Sequence, residues 1–275
     1  MTTCRTFLLG IVTMSKIKTA VIGVGYLGQY HAQKYSDCPA SDLVAVYDAN
    51  PSRAEEIADR LDTESAAQCE QLIGRVDAVS IATPTPYHFE IAKLFLSHGI
   101  HTLIEKPITT TVEEADQLIA IARANNALLQ VGHLERFNNV VKAVAPYLSQ
   151  PRFIESLRTA PFQLRGTDVN VVLDLMIHDI DIIQSMIQSD IVDVRANGSP
   201  IFSKHIDLAN ARIEFENGCV ANVTASRASL KKERRLRIYQ SESCLSIDLD
   251  HKILKYYSRG AAEINPGVPE IVQAK

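Results

Sequence analysis

The stretch Lys18-Thr-Ala-Val-Ile-Gly-Val-Gly-Tyr-Leu-Gly28 decides the fold of the first half of the chain. It is an apolar strand that runs directly into a Gly-x-Gly-x-x-Gly turn, and a helical pattern follows over residues 26–36. In such a turn Gly23 permits the tight bend, and Gly25 lets a pyrophosphate approach the backbone. Gly28 lets the helix pack against the strand, with the phosphates at the helix N-terminus. The stretch therefore predicts a dinucleotide-binding βαβ unit.

The residues around this turn indicate which dinucleotide binds. Asp48 ends the next predicted strand, 20 residues beyond Gly28. An acidic side chain there suits the two ribose hydroxyls of NAD and repels the 2′-phosphate of NADP. Arg53 lies close enough in sequence to weaken that preference, and Tyr26 and Leu27 are expected to border the cofactor. We predict NAD, with NADP as the less favoured cofactor and a glycine turn without ligand as the purely structural alternative.

Strand and helix patterns alternate up to about residue 150, which is typical of a doubly wound parallel sheet. Strands are predicted at 18–23, 42–48, 77–82, 101–105 and 128–132, and helices at 26–36, 51–61, 86–98, 111–125 and 138–148. Ligands of such sheets bind beyond the carboxyl ends of the strands. We therefore assign residues 16–150 to an NAD-binding Rossmann domain and expect its site residues to follow the strands.

The pattern changes after Pro151. One strand and a long helix come first, and segments of alternating hydrophobicity follow. The predicted elements are a strand at 152–159, a helix at 169–188 and strands at 191–196, 206–216, 219–226, 234–240, 243–249 and 252–257. Asn217-Gly218 is a strong signal of a two-residue hairpin. We predict a second, α+β domain over residues 151–275, with one helix on an open, mostly antiparallel sheet, in a chain of α/β class.

The long helix is apolar at most positions but carries a polar seam. The seam consists of Asn170, Asp174, His178, Asp181, Ser185 and Gln188. Spacings of three and four residues place these side chains on one face of an α-helix. Ionisable groups on a buried helix are costly unless they are paired or used. The seam is either a satisfied polar stripe or part of an active site, and the dinucleotide motif favours the second. It lacks the convergent ligand set of a zinc site, so we expect no metal.

Composition excludes several classes of function. With 275 residues and 46% hydrophobic content, the chain is long enough for two modest domains. A net charge of −4 gives no electrostatic basis for binding nucleic acid or an anionic membrane. The five cysteines show no metal-ligand spacing, which is typical of free thiols in a reducing compartment. We expect a cytoplasmic protein without membrane insertion.

The first 15 residues precede the first predicted strand. Their apolar run at 7–12 is too short to span a bilayer, and no signal-peptide cleavage site follows it. We interpret residues 1–15 as a disordered or loosely docked arm, with Met14 as the working initiator.

Three motifs occur in the order found in one enzyme family. They are Gly-x-Gly-x-x-Gly at 23–28, Glu105-Lys106-Pro107 after the fourth predicted strand, and Asp174-x-x-x-His178-x-x-Asp181 on the long helix. With these motifs, residues 17 to about 260 resemble the glucose–fructose oxidoreductase / inositol dehydrogenase (Gfo/Idh/MocA) family of NAD(P)-dependent sugar oxidoreductases. Members usually continue past the last strand with a further helix, whereas this chain ends at Lys275. We expect either a truncated copy or a short subfamily.

Two stretches resemble one branch of this family more closely. Gly132-His-Leu-Glu-Arg-Phe-Asn138 and Asp174-Leu-Met-Ile-His-Asp-Ile-Asp181 are similar to the branch that acts on UDP-linked N-acetylhexosamines. In particular they look like UDP-N-acetylglucosamine 3-dehydrogenase-like members of lipid A biosynthesis. The resemblance implies oxidation of a sugar secondary hydroxyl, namely the C3 hydroxyl of UDP-N-acetylglucosamine, to a 3-keto sugar nucleotide.

Residue chemistry and the resemblance agree on the catalytic candidates. Lys106, at a strand end, would hydrogen-bond the reacting hydroxyl and stabilise the developing alkoxide, with a surface lysine as the alternative. His178 would act as general base because imidazole titrates near working pH. Asp174 would orient His178 or bind a neighbouring sugar hydroxyl. Asp181 would hold the other side of the site or the helix–sheet interface, and we expect Asp179 to be structural.

The loops after the strands supply the remaining candidates. The family's equivalent loop implies that Thr83, Pro84 and His88 border the nicotinamide ribose and diphosphate. Glu105 would contact the nicotinamide ribose, and a buried carboxylate paired with a lysine is the alternative.

Four residues that follow the fifth strand are well placed for substrate contacts: His133, Arg136, Phe137 and Asn138. Arg136 would pair a UDP diphosphate bidentately, with a helix-surface salt bridge as the alternative. Arg158 and Arg165, before the long helix, are weaker phosphate candidates.

Two other functions stay open at this point. A dehydrogenase of a free sugar or an inositol-type polyol would differ only in the pocket of the second domain. A non-catalytic NAD-binding regulator would have no need for Lys106, Asp174 and His178 together. The uncovered face of the second sheet predicts a homodimer or homotetramer through residues about 191–257.

Overall fold

The computed structural model describes residues 15–163, 169–259 and 269–274. The predicted N-terminal arm lies almost entirely outside these residues. The chain forms two compact units, Met1–Gly132 and His133–Lys275. The boundary thus precedes the one expected at residue 150. Residues 133–150 belong to the second unit because Val140, Val141 and Val144 are buried in its hydrophobic core.

The first unit is a parallel sheet with helices between its strands, as predicted. Its described strands are β1 (Ile17–Ile22), β2 (Ser41–Tyr47), β3 (Glu64–Ser65), β4 (Ala78–Ile81), β5 (His101–Ile104) and β6 (Leu129–Val131), and its described α-helices are α1 (Gly28–Asp37), α2 (Pro51–Leu61), α3 (His88–Ser97) and α4 (Val112–Ala124). The strand order is β3-β2-β1-β4-β5-β6, the doubly wound order of dinucleotide-binding sheets. The unpredicted β3 is too short to show a strand period.

The point where this sheet reverses its winding lies between β1 and β4. The chain moves to one side of β1 through β2 and to the other side through β4 and β5. Central residues of both strands, such as Ala20, Ile22, Val79 and Ile81, are buried in one core. A crevice forms beyond the carboxyl ends of strands at such a switch point. The glycine turn and the Thr83 loop follow these two strands, so the sheet brings them to the same crevice.

The second unit is an open sheet with one long helix packed on it. Its described strands are β7 (Phe153–Thr159), β8 (Ile191–Ser199), β9 (Leu208–Phe215), β10 (Val220–Ser226), β11 (Glu233–Tyr239), β12 (Ser243–Asp248), β13 (Ile253–Arg259) and β14 (Pro269–Ala274). The order is β14-β13-β12-β11-β7-β10-β9-β8, and β7–β10 is the parallel pair in an otherwise antiparallel sheet. The predicted mostly antiparallel architecture is confirmed. Gly218 has a positive φ of 82° in the predicted hairpin between β9 and β10.

The helix expected at 138–148 does not form as one element. Residues Asn139–Lys142 make a single α-helical turn, α5, and Ala145–Tyr147 make a 3₁₀ turn. Pro146 explains the interruption because its ring clashes with the carbonyl four residues earlier in a continuous α-helix. The Asn138 side chain accepts a hydrogen bond from Val140 N and so starts α5.

The long helix also differs from a regular α-helix. A π-helical turn, Val172–Met176, precedes α6 (Ile177–Met186). Asn170 Oδ1 accepts hydrogen bonds from the amides of Val172 and Leu173, so this member of the seam caps the helix. Wide π turns are rare and frequently occur at functional sites.

A buried ion pair anchors the start of this helical segment. Asp207 is fully buried and accepts hydrogen bonds from the backbone amides of residues 201–203. Arg227 Nε donates to Asp207 Oδ1 at 2.8 Å, and Arg227 Nη1 donates to the carbonyl oxygen of Val169 at 2.8 Å. The pair therefore connects the 201–207 loop, the end of β10 and the chain that enters the helix.

Replacing Asp207 with Asn should lower the free energy of unfolding by about 3–5 kcal/mol, because the buried Arg227 guanidinium loses its counter-charge. Asp193→Asn is the matched control, since Asp193 pairs with the exposed Arg195 and such pairs contribute about 0–1 kcal/mol. Denaturant unfolding measures both. Equal, small losses would contradict the anchoring role.

The same ion pair makes stability depend on acid pH. Burial alone would raise the pKa of Asp207, but Arg227 and the loop amides hold that pKa well below its usual range. An unfolded aspartate titrates near pH 4. The contribution of Asp207 is therefore fully present above about pH 4 and is lost as pH falls toward the folded pKa. Asp207→Asn should lose less stability than the unsubstituted chain between pH 4 and pH 2.

Candidate active site

Each of the three glycines of the turn has a different structural role. Gly23 has a positive φ of 84°. A Cβ on Gly28 would lie 1.7 Å from Gly23 O, so only glycine lets α1 begin directly against the turn. A Cβ on Gly25 would meet no atom within 4 Å. The packing of the chain itself therefore does not require glycine at position 25, and the open space there fits the approach of a pyrophosphate.

Asp48 is fixed beside this turn. Its Oδ2 accepts a hydrogen bond from Val24 N at 2.8 Å, and its Oδ1 accepts one from Asn50 N at 2.9 Å. Each carboxylate oxygen has a second lone pair that a ribose hydroxyl can use. Arg53 donates to Val24 O and pairs with Glu56 at 2.7 Å, so its charge is partly used within the chain.

The loop after β4 places its predicted residues in different environments. Thr83 Oγ1 is buried and has no hydrogen-bond partner among the described residues, which suits a ligand that would complete it. His88 is 1% exposed, with Nδ1 2.9 Å from Pro107 O and Nε2 2.8 Å from Thr83 O. Both ring nitrogens of His88 thus connect the loops after β4 and β5, and its expected place beside the cofactor stays a prediction. Pro84 separates Thr83 from the 3₁₀ turn Thr85–Tyr87.

Glu105 has a partner that the sequence patterns did not identify. Glu105 is buried, and its Oε1 lies 2.9 Å from Nε2 of His31, while His31 Nδ1 lies 2.6 Å from Ser80 Oγ. A Cβ on Gly132 would approach Glu105 Oε1 to 2.9 Å, so β6 closes over the carboxylate. Glu105 thus belongs to a network that connects α1, β4 and β5, with a histidine in place of the lysine partner that was the alternative; its ribose contact stays a prediction. The only sequence signal was a polar residue on α1 soon after Gly28.

Lys106 follows β5 at the carboxyl end of the sheet, as predicted. Its side chain is half-buried, its backbone amide donates to Glu105 Oε2 at 3.3 Å, and its peptide bond to Pro107 is cis. The buried Glu105 thus holds the backbone from which the lysine extends.

In the second unit, Asp174 lies in the π turn and His178 in the first turn of α6. Both are half-buried. Neither belongs to the hydrophobic side of the helix, where Met176, Ile182 and Ile183 are buried against the sheet. The two candidate catalytic side chains are therefore on the polar part of the helix, as the seam predicts.

The two aspartates of α6 form ion pairs with arginines. Asp179 is buried and accepts hydrogen bonds from Arg158 at 2.7 and 3.0 Å, which accounts for Arg158 as a structural residue and not a phosphate ligand. Arg136 donates to both oxygens of Asp181, at 2.7 and 2.6 Å. This hydrogen bond raises the pKa of Arg136 and occupies its bidentate fork. The salt bridge expected as the alternative is therefore present, and the pairing of Arg136 with a diphosphate stays a prediction.

The remaining substrate candidates lie near this ion pair in the second unit. His133 Nε2 is 3.8 Å from Asp181 Oδ1. Asn138 donates to Leu249 O in addition to capping α5, so it has a structural role, and its substrate contact stays a prediction. Phe137 is exposed, with Lys142 Nζ 5.4 Å from its ring centroid. Arg165 lies outside the described residues.

The parts of the chain that the structure describes contain no group of three or more His, Cys, Asp or Glu side chains suited to a metal ion. No helix within residues 15–163 or 169–259 is long and apolar enough to cross a membrane.

Comparison with known proteins identifies the family. Residues 17–133 match the family model for the "Oxidoreductase family, NAD-binding Rossmann fold", and residues 151–246 match that for the "GFO/IDH/MocA C-terminal domain". The chain belongs to the Gfo/Idh/MocA family. The resemblance predicted from the motifs is confirmed, and this Gfo/Idh/MocA protein is an oxidoreductase that acts on CH–OH groups and has a nicotinamide-dinucleotide-binding Rossmann domain.

Individual relatives include sugar and polyol dehydrogenases. The chain is 41% identical to UDP-N-acetylglucosamine 3-dehydrogenase of Acidithiobacillus ferrooxidans, over 94% of this chain and 82% of that protein. A solved structure of this enzyme gives a TM-score of 0.87, covering 95% of this chain and 83% of that one. The chain is also 28% identical to scyllo-inositol 2-dehydrogenase (NAD(+)) of Bacillus subtilis, over 78% of this chain and 68% of that protein.

Substitution of two glycines by alanine should separate folding from cofactor binding. Gly25→Ala should keep the free energy of unfolding within about 1 kcal/mol but weaken NADH binding at least ~10-fold, because the methyl group would occupy the space of the pyrophosphate. Gly28→Ala should fail to fold stably, because its Cβ would overlap Gly23 O. Thermal unfolding and fluorescence titration with NADH measure the two effects. Unchanged NADH affinity in Gly25→Ala would contradict the placement of the cofactor at this turn.

Proposed function

We propose that this chain oxidises the C3 hydroxyl of UDP-N-acetylglucosamine to a 3-keto sugar nucleotide, with NAD as the hydride acceptor. The observation that carries the proposal is the 41% identity, over 94% of the chain, with UDP-N-acetylglucosamine 3-dehydrogenase of Acidithiobacillus ferrooxidans. The chain also has Lys106, Asp174 and His178 in positions suited to this chemistry: a strand end and the polar part of the helix.

The proposed roles follow from the charge changes in alcohol oxidation. A bound nicotinamide would accept the hydride from the carbon. Lys106 would donate a hydrogen bond to the hydroxyl oxygen and stabilise the negative charge that develops on it. His178 would remove the hydroxyl proton as general base. Asp174, in the π turn before His178, would orient the imidazole or accept a hydrogen bond from the adjacent sugar hydroxyl.

NAD is the proposed cofactor in preference to NADP. The glycine turn (23–28), Tyr26, Leu27, Thr83 and Pro84 would surround the dinucleotide. Asp48 is held against Val24 N at the turn, where its negative charge disfavours a 2′-phosphate. Arg53, the cation that would attract such a phosphate, is paired with Glu56. We expect kcat/KM to be at least ~10-fold higher with NAD than with NADP, which steady-state assays with each cofactor measure.

Substitution of the two candidate catalytic side chains tests the mechanism. Lys106→Met and His178→Asn should each lower kcat at least ~100-fold, because each removes a group that acts on the reacting hydroxyl. NADH affinity should stay within ~3-fold of the unsubstituted chain. Lys34→Met and His98→Gln are the controls, since both side chains are exposed on the first unit. Unchanged turnover in either Lys106→Met or His178→Asn would refute the proposed mechanism.

The substrate is tested by NADH formation with UDP-N-acetylglucosamine, UDP-N-acetylgalactosamine, free N-acetylglucosamine and inositol. A ketone-trapping reagent should be present because the oxidation is expected to be unfavourable alone. Activity that requires the UDP group would support the proposal. Activity with inositol would instead favour the second candidate, a polyol dehydrogenase, which the 28% identity to scyllo-inositol 2-dehydrogenase supports. Dinucleotide binding without turnover of any sugar would favour a regulator.

We also propose that the chain forms a homodimer or homotetramer through the second sheet. The sheet face opposite α6 exposes side chains of both charge signs, including Glu155, Arg235 and Arg237, and so suits a self-complementary contact. The edge strand β8 exposes Val192 and Val194. Sedimentation velocity should give a mass of two or four chains, and a monomer at micromolar concentration would refute this.

A further inference from the structure

A pocket of about 240 Å³ lies within the second unit at the ends of three central strands of its sheet. At this end of the sheet β7 and the parallel β10 end and β11 begins. Asp174, proposed above to act beside the reacting hydroxyl, lines the pocket. The pocket therefore extends from a proposed catalytic residue across the ends of these central strands. Its other charged lining residues are Arg158, Arg227, Lys232 and Arg234.

Two of these cations face each other across neighbouring strands. Arg158 of β7 and Arg234 of β11 are directly opposite in the antiparallel register, so their side chains lie on the same face of the sheet. Like charges in that arrangement repel unless an anion lies between them or near them. Asp179 compensates Arg158 in a buried pair. Glu135 Oε1 lies near both arginines, 3.9 Å from Nη1 of Arg158 and 3.4 Å from Nη1 of Arg234. The single long contact of Arg234 leaves other guanidinium N–H groups for a ligand.

Lys232, just before β11, is a second partly exposed cation at the same end of the sheet. It pairs with Asp250, and both side chains are partly exposed. An exposed pair of this kind contributes little to stability, so exchange of Asp250 for a phosphate oxygen costs little. Arg227 also lines the pocket, and its ion pair with the buried Asp207 fixes the position of its side chain. The pocket thus combines fixed buried arginines with two partly exposed cations that can adjust to an anionic group.

An aromatic pair stands beside the pocket. The rings of Phe162 and Phe202 are 5.5 Å apart at an interplanar angle of 70°, and Phe202 is 64% exposed. Pro161 and Gln163, the neighbours of Phe162, line the pocket. Arg227, another lining residue, donates to the Oγ of Ser203, which follows Phe202. A flat nucleobase can pack on such an exposed aromatic side chain.

We propose that this pocket binds the nucleoside diphosphate part of a sugar-nucleotide substrate. Lys232 and Arg234 bind the diphosphate, the Phe162–Phe202 pair receives the base, and Asp174 lies at the end where the sugar reacts. The inference rests on the proposed function and specifies how a UDP-sugar is distinguished from a free sugar. It assigns the diphosphate to Lys232 and Arg234, whereas Arg136 makes a two-point salt bridge with Asp181.

The test measures binding of UDP, uridine and inorganic pyrophosphate by calorimetry to the full chain saturated with NADH, so that the dinucleotide site is filled. Arg234→Met and Lys232→Met should each weaken UDP and pyrophosphate at least ~10-fold, because each loses charge-assisted hydrogen bonds to phosphate. Arg152→Met is the control. Arg152 is exposed and lies just before the first residue of β7, at the opposite end of that strand from the pocket, so this variant should bind UDP normally.

A second pair of variants separates the base from the phosphates. Phe202→Ala should weaken UDP and uridine but leave pyrophosphate unchanged. Arg234→Lys keeps the charge and should bind UDP more tightly than Arg234→Met, which guards against a purely structural loss. UDP affinity that stays within ~3-fold of the unsubstituted chain in both Arg234→Met and Lys232→Met would overturn the proposal. An equal loss in Arg152→Met would overturn it too, since the effect would not be local.

Binding and turnover distinguish this inference from the proposed function. If UDP-N-acetylglucosamine is not oxidised but the Lys232 and Arg234 variants lose UDP affinity, the pocket stands and the proposed reaction fails. If UDP-N-acetylglucosamine is oxidised and its KM is unchanged in both variants, the reaction stands and the pocket assignment fails.

Discussion

The ion pair between Arg158 and Asp179 is the interaction on which the second unit's site depends. The two side chains are each 2% exposed and join β7 to α6. Breaking such a pair by removing one partner costs several kcal/mol, because the other charge stays buried without compensation. The pair joins α6 to β7, and Ile182 and Ile183 of the same helix pack in the hydrophobic core. His178 therefore lies on a helix that is held both by the ion pair and by hydrophobic packing.

Buried polar pairs act in the same way at the other ends of the site elements. Arg227 and Asp207 hold the chain at Val169, where the helical segment begins. In the first unit, His31 and Glu105 connect α1 to the strand end that carries Lys106. Hydrophobic packing alone tolerates small shifts of an element, whereas a buried charged or polar group must keep its partner. Each candidate catalytic residue is thus attached to backbone that a buried polar contact positions.

Side chains that make these buried contacts have fewer hydrogen-bonding groups left for a ligand. Arg136, Arg158 and His88 have functional groups suited to phosphate or ribose, yet each is used by a carboxylate or by carbonyl oxygens of the chain. Arg234 on the adjacent strand β11 and Lys232 just before it are partly exposed, and their ion pairs with carboxylates are less buried than that of Arg158. Residue type, position in the chain and, for His88, the family resemblance favoured a binding role for the first group. The partner of an arginine depends on residues far away in sequence, such as Asp179 for Arg158.

The sequence by itself determined the parallel sheet, the dinucleotide turn, the β9–β10 hairpin and the helix that carries Asp174 and His178. These features arise from local rules: glycine conformations, period-two and period-3.6 patterns, and turn residues. Tertiary structure alone decided the His31–Glu105 network, the π turn around Asp174 and the partners of the arginines. The physical reason is that hydrogen bonds and ion pairs act over about 3 Å between residues that the fold brings together from distant positions. A one-dimensional pattern carries the identity of both partners but not the distance between them.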